Sequence, residues 1–306
     1  MNLHKMIASD LRLDENYIKI IVGSADKKYS RYKIPKKDGT LRQIFHPSPE
    51  LKTIQYWLLR NVFNCFDVSK YSRAYEAGNS IKKNATVHKD GQYILKMDIT
   101  SFFPTITASR LRSYIVNNKD KVPFPLDDND INFIVKASTY KGHLVIGSVC
   151  APKISNIIMY EFDIKMAKLA KINGGLKYSR YADDLTFSSK EYIDYAVVKK
   201  ATEIITQEGF SVNKNKTRFS SPRYRRMITG LMVDNGEITI GTSKKKELKS
   251  LIYQYFEHKK GNPKELLGYL SFLKDVEPVY LSKLIIKYSS YGNIMKILKE
   301  DSKECS

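Results

Sequence analysis

Two adjacent aspartates, Asp183 and Asp184, stand at the joint between the β-type runs LKYSRY and LTFSS, and a third, Asp98, lies near the end of the apolar segment YILKMDI. Neighbouring carboxylates on a tight turn repel each other, so this arrangement is unfavourable without a cation between them. A third carboxylate from a nearby strand completes an all-oxygen site of the kind that Mg²⁺ prefers. Two such ions stabilise both the attacking and the leaving oxygen of an in-line phosphoryl transfer. The pattern therefore predicts metal-assisted phosphoryl transfer, with these three aspartates as metal ligands and catalytic groups.

An ordinary polar turn is the competing interpretation, and for a pair of aspartates alone it is the better one, because short motifs recur by chance. The context favours chemistry, since the pair lies between two strands and Asp98 follows an apolar strand and precedes two phenylalanines. A second acidic cluster comprises Asp127, Asp128 and Asp130. We interpret this cluster as caps and first-turn charges of a helix at 131–138, and not as ligands.

Hydrophobic periodicity predicts the elements that must hold the aspartates. Strands are expected in YKIP, LRQIF, YILKMDI, LKYSRY and LTFSS, with a hairpin turn at Lys37-Asp38-Gly39 and a strand pair over 227–240 turned at Asn235-Gly236. Helices are expected at 14–22, 49–63, 153–171 and 194–208. From about residue 240 the pattern is helical, with helices beginning at Ser243, Asn262-Pro263 and Pro278. The sequence thus predicts a mixed α/β body followed by a small helical module.

The composition indicates a basic, globular protein. Lysine and arginine total 52 against 32 acidic residues, which gives a formal net charge of +20 and a pI of about 9.6. This balance favours a polyanionic partner, although it also fits a protein that is merely basic. The three cysteines form no C-x-x-C pair, so neither a disulfide framework nor a zinc site is indicated. The first residues lack the apolar core of a signal peptide, and no apolar run reaches membrane-spanning length. We therefore expect a cytoplasmic protein that makes no membrane contact.

The positive charge is concentrated in one segment, 209–233, which contains no acidic residue. Its cations are Lys214, Lys216, Arg218, Arg223, Arg225 and Arg226. A solvated polar surface is the usual interpretation of a short basic run. An enzyme that holds a structured RNA needs backbone-directed charge over an extended surface, which this segment could supply together with the lysines of the helical module.

Several segments, taken in order over roughly 25–275, resemble the motifs of reverse transcriptases. YILKMDITSFFPTI resembles the palm strand with the first catalytic aspartate, and RYADDLTF resembles the Tyr-x-Asp-Asp hairpin. KKDGTLRQI resembles the fingers hairpin, GFSVNKNKT the motif after the catalytic hairpin, and RRMITGLMV the primer grip. Each segment alone is weak, whereas all of them in the correct order form a specific pattern.

The resemblance implies roles for individual residues. Lys36 and Arg42 would hold the incoming triphosphate, Phe103 would be the aromatic gate that excludes a ribose 2′-hydroxyl, and Lys216 would lie near the leaving pyrophosphate. Gly147 matches the segment that lies against the incoming nucleotide. There the sequence departs from the family, because Ile146 stands where most members have glutamine. Fidelity and analogue sensitivity therefore cannot be carried over.

Two further segments resemble the bacterial retron reverse transcriptases in particular. Asn84-Ala85-Thr86-Val87-His88 matches their Asn-Ala-x-x-His signature, and Ile228-Thr229-Gly230 matches their Val-Thr-Gly signature with isoleucine for valine. The competing interpretation of the first is a capped turn with a surface histidine. On the retron interpretation we expect Asn84, His88, Thr229 and Gly230, with Arg223, Arg225 and Arg226, to bind RNA.

The resemblance further implies what such an enzyme does. It would copy its cognate structured non-coding RNA into branched, RNA-linked single-stranded DNA (msDNA), primed from an RNA 2′-hydroxyl. It would use deoxynucleoside triphosphates and two Mg²⁺ ions, with Mn²⁺ as the substitute ion. It would hold the RNA–DNA hybrid and serve in anti-phage defence beside an effector protein encoded nearby.

The implied architecture is an α/β (α+β) right-hand polymerase. The fingers would comprise 1–91 and 119–144, the palm 92–118 and 145–240 with a split β-α-β antiparallel sheet, and the helical thumb 241–306. Two rival functions remain: another bacterial reverse transcriptase, of group II intron-like or diversity-generating type, and an RNA-holding scaffold that restrains an effector protein. The compact length and the NATVH segment disfavour the first rival, and the three aspartates disfavour the second.

Overall fold

The computed structural model describes residues 2–36 and 39–298. The chain divides into two compact units. Unit 1 comprises the residues up to 79 together with 96–186 and 194–218. Unit 2 comprises 80–95, 187–193 and the residues from 219 onwards.

Both helices and strands occur up to residue 240, and helices alone follow in the described residues. The helices are α1 (Leu3–Leu11), α2 (Glu15–Gly23), α3 (Pro49–Asn61), α4 (Ile81–Val87), α5 (Phe102–Thr105), α6 (Ala108–Asn118), α7 (Asp128–Ser138), α8 (Ala151–Ile158), α9 (Tyr160–Ile172), α10 (Tyr195–Gln207), α11 (Gly241–Phe256), α12 (Pro263–Val276) and α13 (Pro278–Lys287). The strands are β1 (Tyr29–Pro35), β2 (Leu41–Pro47), β3 (Tyr93–Asp98), β4 (Lys177–Tyr181), β5 (Asp184–Ser189), β6 (Arg218–Ser220), β7 (Met227–Ile228), β8 (Leu231–Asp234) and β9 (Glu237–Thr239). A further helical turn covers 294–298.

Capping side chains explain where several helices begin, because an oxygen at the N-cap satisfies a backbone N–H that lacks an intrahelical partner. The Asp14 carboxylate accepts from the Tyr17 N–H at 2.9 Å at the start of α2. The amide oxygen of Asn262 accepts from Lys264 N at 2.9 Å before α12, as the Asn-Pro pair predicts. Asp127 caps α7 in a reciprocal capping box with Asp130, which confirms that these aspartates are caps.

Three sheets are present in the described residues. The order of the central sheet is β4-β5-β3-β6, β1 pairs with β2 antiparallel, and β7, β8 and β9 form an antiparallel meander. Backbone hydrogen bonds run from Gln92 N to Ser189 O at one end of the β3–β5 pair and from Ile99 N to Asp183 O at the other. These two strands are therefore antiparallel, and the turn between β4 and β5 lies beside the end of β3.

Each unit has its own apolar core. In unit 2, β7, β8 and the helical module share one cluster that includes Ile228, Leu231, Leu248, Leu270 and Leu284. In unit 1, α9 contributes Phe162 and Met166, and the central strands contribute Met97 and Leu185, all with negligible exposure. Among the described residues, every helix falls short of the length and apolar character needed to cross a bilayer.

The structure confirms the mixed α/β class with antiparallel sheets, and it corrects three local predictions. The helix expected at 153–171 is two helices, because ψ of Met159 is 8° and interrupts the spiral between α8 and α9. The strand pair expected over 227–240 has a third strand, β7. The first helix of the module begins at Gly241 and not at Ser243. The turn residues Lys37 and Asp38 lie outside the described residues.

Candidate active site

The turn between β4 and β5 consists of Ala182 and Asp183, and Asp184 is the first residue of β5. Ala182 has a positive φ of 58°, a left-handed conformation that reverses the chain tightly at this point. The Asp183 carbonyl accepts from Ile99 N at 3.0 Å, and the Asp98 carbonyl accepts from Asn213 N at 2.8 Å. These backbone bonds bring the aspartate pair beside Asp98, as the sequence predicts.

The aspartate pair is electrostatically strained. Burial raises the pKa of Asp183 to about 6, and the charges of Asp184 and Asp98 contribute to the rise. Burial also raises the pKa of Asp184, where the Asp98 charge acts in the same direction and Lys96 opposes it. Partly buried like charges that destabilise one another are typical of a site that binds a cation.

A lysine supplies positive charge at this site. The Lys216 ammonium donates to Asp98 Oδ2 at 2.8 Å, and this hydrogen bond is the main reason that the pKa of Lys216 is raised. The Asp98 side chain is buried, whereas that of Lys216 is 58% exposed. Lys216, in the segment after α10, therefore lies beside the carboxylates. Its contact with the leaving pyrophosphate stays a prediction.

The donor set of the site is composed of carboxylates alone, which suits a hard divalent cation. In the part of the chain that the structure describes, no three His, Cys, Asp or Glu side chains are arranged to coordinate one ion. Asp98, the third carboxylate of the site, is hydrogen-bonded to Lys216 through Oδ2. Asp98, Asp183 and Asp184 remain the candidate metal ligands that the sequence predicts.

Phe103 lies on α5. Its ring packs against Phe102 at a centroid distance of 5.4 Å and against Tyr75 at 6.4 Å. Burial raises the pKa of the Tyr75 phenol, with a further rise from Asp183 and a counteracting effect of Arg42. Tyr75 thus connects the ring predicted to select the sugar with the carboxylates, and sequence reasoning did not identify it.

The residues predicted to contact the nucleotide occupy two different settings. Lys36 and Arg42 have exposed side chains at the tip of the β1–β2 hairpin. Gly147 has a φ of +108°, and a Cβ at this position would lie 2.4 Å from the Phe45 carbonyl oxygen. The neighbouring Ile146 carbonyl accepts from Phe45 N at 2.8 Å. Gly147 is therefore required by backbone packing against β2, whatever its contact with a nucleotide.

The two retron-like signatures meet within unit 2. Asn84 on α4 is buried, and its side-chain amide donates to the Thr229 hydroxyl at 3.5 Å. His88 is buried, with Nδ1 2.7 Å from the Ser188 hydroxyl on β5. Thr229 and Gly230 both have positive φ and form the turn between β7 and β8. The structure therefore places Asn84 and His88 in the interior. The competing interpretation, a capped turn with a surface histidine, is wrong because the segment is helical and His88 is buried.

The three arginines predicted to bind RNA divide into two groups. Arg223 and Arg225 are exposed. Arg226 is 6% exposed, and its guanidinium donates to Asp234, to the Val233 carbonyl at 3.2 Å and to the Gln92 carbonyl at 3.4 Å. Arg226 is thus engaged within unit 2 and holds β8, which favours a structural role for it.

Sequence reasoning also missed the charged residue that precedes the turn. Arg180 lies in the strand β4 and is completely buried against Asp163 of α9. A charged residue inside a strand that is otherwise buried was the available signal, since a buried charge must be paired.

The family comparison agrees with this site. Residues 34–255 match the model of the reverse transcriptase (RNA-dependent DNA polymerase) family. The Retron Ec86 reverse transcriptase of Escherichia coli is 33% identical over 94% of this chain and 90% of its own length. The Retron Ec83 reverse transcriptase of Escherichia coli is 32% identical over 85% of this chain and 86% of its own.

Two solved structures superpose on parts of the chain. A foamy viral protease-reverse transcriptase in complex with double-stranded DNA matches 81% of this chain with a TM-score of 0.45 and 16% identity. A Candida albicans telomerase in complex with a fragment of telomeric RNA matches 86% with a TM-score of 0.48 and 13% identity. The chain spans 36% and 56% of their respective lengths.

The length and identity of the retron matches, the family model and the aspartate turn lead to one assignment. The chain belongs to the reverse transcriptase family and, within it, to the retron reverse transcriptases, which are RNA-directed DNA polymerases.

Proposed function

We propose that Asp98, Asp183 and Asp184 hold two Mg²⁺ ions and that the chain adds deoxynucleotides to a primer hydroxyl. The observation that carries the proposal is the raised pKa of Asp183, to about 6, beside two further carboxylates. Such ions supply stabilisation of the attacking and leaving oxygens, and Mn²⁺ is the alternative ion. The Lys216 ammonium, which donates to Asp98 Oδ2 at 2.8 Å, would offset the negative charge of the leaving pyrophosphate.

Other residues position the substrates in this proposal. The exposed Lys36 and Arg42 bind the triphosphate from the hairpin, and Phe103 excludes a ribose 2′-hydroxyl. The central sheet with its catalytic turn serves as the palm, the β1–β2 hairpin belongs to the fingers, and the module from residue 241 acts as the thumb. Exposed arginines of the 209–233 segment hold phosphates of the template and of the hybrid.

We further propose that the template is a cognate structured non-coding RNA, that priming starts from an RNA 2′-hydroxyl, and that the product is branched msDNA. The retron relatives support this proposal. Because Asn84 and His88 are buried, they act indirectly in this proposal. Asn84 supports the 229–230 turn through Thr229, and that turn presents its backbone to the RNA, whereas His88 holds Ser188 of β5. We also propose a role in anti-phage defence with an effector protein encoded nearby, on the basis of the resemblance to retron enzymes.

The metal proposal is tested with Asp183→Asn. Extension of an annealed primer should fall at least about a thousandfold, because the charge needed for ion binding is lost, whereas RNA affinity should change less than about threefold. Primer extension and filter binding measure the two quantities. Glu203→Gln, on the exposed face of α10, is the matched control and should change neither. Extension by Asp183→Asn at the wild-type rate would refute the metal site.

The RNA proposal is tested with an Asn84→Ala, His88→Ala double variant at a temperature at which it is folded. The variant should extend an ordinary annealed primer and fail on its own structured RNA. Thr86→Ala, an exposed position on the same helix, is the control and should retain both activities. Equal losses on the two substrates would show that these residues serve the fold alone.

A further inference from the structure

Arg180 is the largest of the fully buried side chains of the described residues. It forms a two-pronged ion pair with Asp163, in which Nε donates to Oδ1 at 2.8 Å and Nη2 donates to Oδ2 at 2.8 Å. Asp163 is also completely buried and accepts from the Tyr178 hydroxyl at 2.9 Å. Both oxygens of the carboxylate are thus used to fix the orientation of the guanidinium.

The remaining nitrogen of Arg180 points at the catalytic turn. Nη1 donates to the Ala182 carbonyl at 3.2 Å and to Asn156 Oδ1 at 3.3 Å. Ala182 is the residue with the left-handed φ that immediately precedes Asp183. The ion pair therefore reaches the backbone that determines where the two metal-binding carboxylates point.

The rest of the network is also fixed. Asn156 Oδ1 accepts from the Ser72 hydroxyl at 2.8 Å, and its amide nitrogen donates to the Ala74 carbonyl at 2.8 Å. The backbone of Arg180 is bonded separately, from its N–H to Tyr71 O at 2.9 Å and from Arg73 N–H to its carbonyl at 2.7 Å. The main chain of β4 is thus also held by hydrogen bonds that do not involve the guanidinium.

Stability alone gives a poor explanation of this pair, because replacing a buried ion pair by apolar side chains is often neutral or stabilising. We propose that Arg180 is a positioning residue for polymerisation: held by Asp163, it fixes the Ala182 carbonyl and thereby the orientation of Asp183 and Asp184. This inference rests on the proposed metal role of those two aspartates. In this proposal α8 and α9, through Asn156 and Asp163, hold the guanidinium that orients the metal ligands.

Arg180→Lys is the most direct test, because lysine keeps the charge beside Asp163 but cannot reach the carboxylate, Asn156 and Ala182 at once. We expect the affinity for Mn²⁺, measured by the electron paramagnetic resonance of the free ion, to fall about tenfold. The Mg²⁺ concentration that half-saturates primer extension should rise by a similar factor. Phe162→Leu, in α9 next to Asp163 and as buried as Arg180, is the control for a loosened core and should leave both values within twofold.

An Asp163→Asn, Arg180→Gln double variant removes both charges together. It provides a second test if the lysine variant does not fold. It should show the same weakened ion binding at a melting temperature close to that of Phe162→Leu. Ion affinity equal to that of Phe162→Leu in a folded Arg180 variant would overturn the positioning role. Failure of the metal site itself would instead appear as full activity of Asp183→Asn, so the two failures are distinguishable.

Discussion

The aspartate turn and the retron-like signature region are both polar, but they differ in how their polar groups are satisfied. In the signature region Asn84 and His88 are buried and hydrogen-bonded to protein partners. At the turn, Asp183 and Asp184 are left close to each other, with raised pKa values. Buried groups with partners stabilise a fold, whereas unrelieved like charges are tolerated where a ligand relieves them. Removing a side chain should therefore have opposite effects on stability in the two regions.

The largest expected effect is in the signature region. The Asn84→Ala, His88→Ala double variant should lower the free energy of unfolding by about 2–5 kcal/mol, because the Thr229 and Ser188 hydroxyls lose buried partners. Urea denaturation measures this change. Thr86→Ala should change it by less than about 0.5 kcal/mol. A double variant as stable as the wild type would remove the contrast between the regions.

At the aspartate turn the sign should be reversed. The folded-state pKa of Asp183, about 6, lies above the ordinary 3.8, so the ionised carboxylate destabilises the folded protein above pH 6. Asp183→Asn should raise the free energy of unfolding at pH 8 by about 1–3 kcal/mol. The gain should shrink as the pH falls from 6 to 4, where the wild-type carboxyl becomes protonated.

Denaturation in EDTA at several pH values tests this reversal, with Glu203→Gln as the control that should not respond. A loss of stability in Asp183→Asn at pH 8 would mean that the carboxylate is satisfied by the protein. The aspartate turn would then resemble the signature region.

A smaller effect is expected at Phe103, on the selection between ribonucleotides and deoxyribonucleotides. Phe103→Ala should raise the efficiency of ribonucleotide incorporation relative to deoxyribonucleotides by about tenfold, since a ring in van der Waals contact excludes an added hydroxyl. Single-nucleotide extension with each triphosphate measures the ratio. Phe102→Leu, a change at the buried neighbour, should leave it unaltered. An unchanged ratio in Phe103→Ala would assign that ring to the core together with Phe102.

The smallest effect is expected for the basic segment 209–233, in the salt dependence of RNA binding. Neutralising Arg223 and Arg225 with glutamine should lower the slope of log affinity against log salt by up to about one unit for each phosphate that the protein no longer neutralises. Arg226→Gln should leave that slope unchanged and reduce stability, because its guanidinium bonds Val233 and Gln92 inside the unit. Filter binding at several salt concentrations separates the two outcomes. A slope that falls with Arg226→Gln alone would reverse the assignment.

Local patterns in the sequence (apolar periodicity, capping residues and carboxylates at strand ends) predicted strands β1 to β5, several helices and the aspartate turn. They did not predict α4, α6, β6 or β7. It could not show which polar residues are buried. Arg223, Arg225 and Arg226 are indistinguishable as cations of one basic segment, and only the return of β8 past Arg226 separates them. The break at Met159 was hidden because the apolar stripe continues across it.

The packing of Gly147 affects how mutational scanning of this enzyme should be interpreted. Any side chain at that position would collide with the Phe45 carbonyl, in addition to the strain imposed by a φ of +108°. A saturation library should therefore show intolerance at Gly147 even in a selection that scores folding and not DNA synthesis. Depletion at this position is consequently no measure of nucleotide binding, whereas depletion at the exposed Arg42 in an activity selection alone would be.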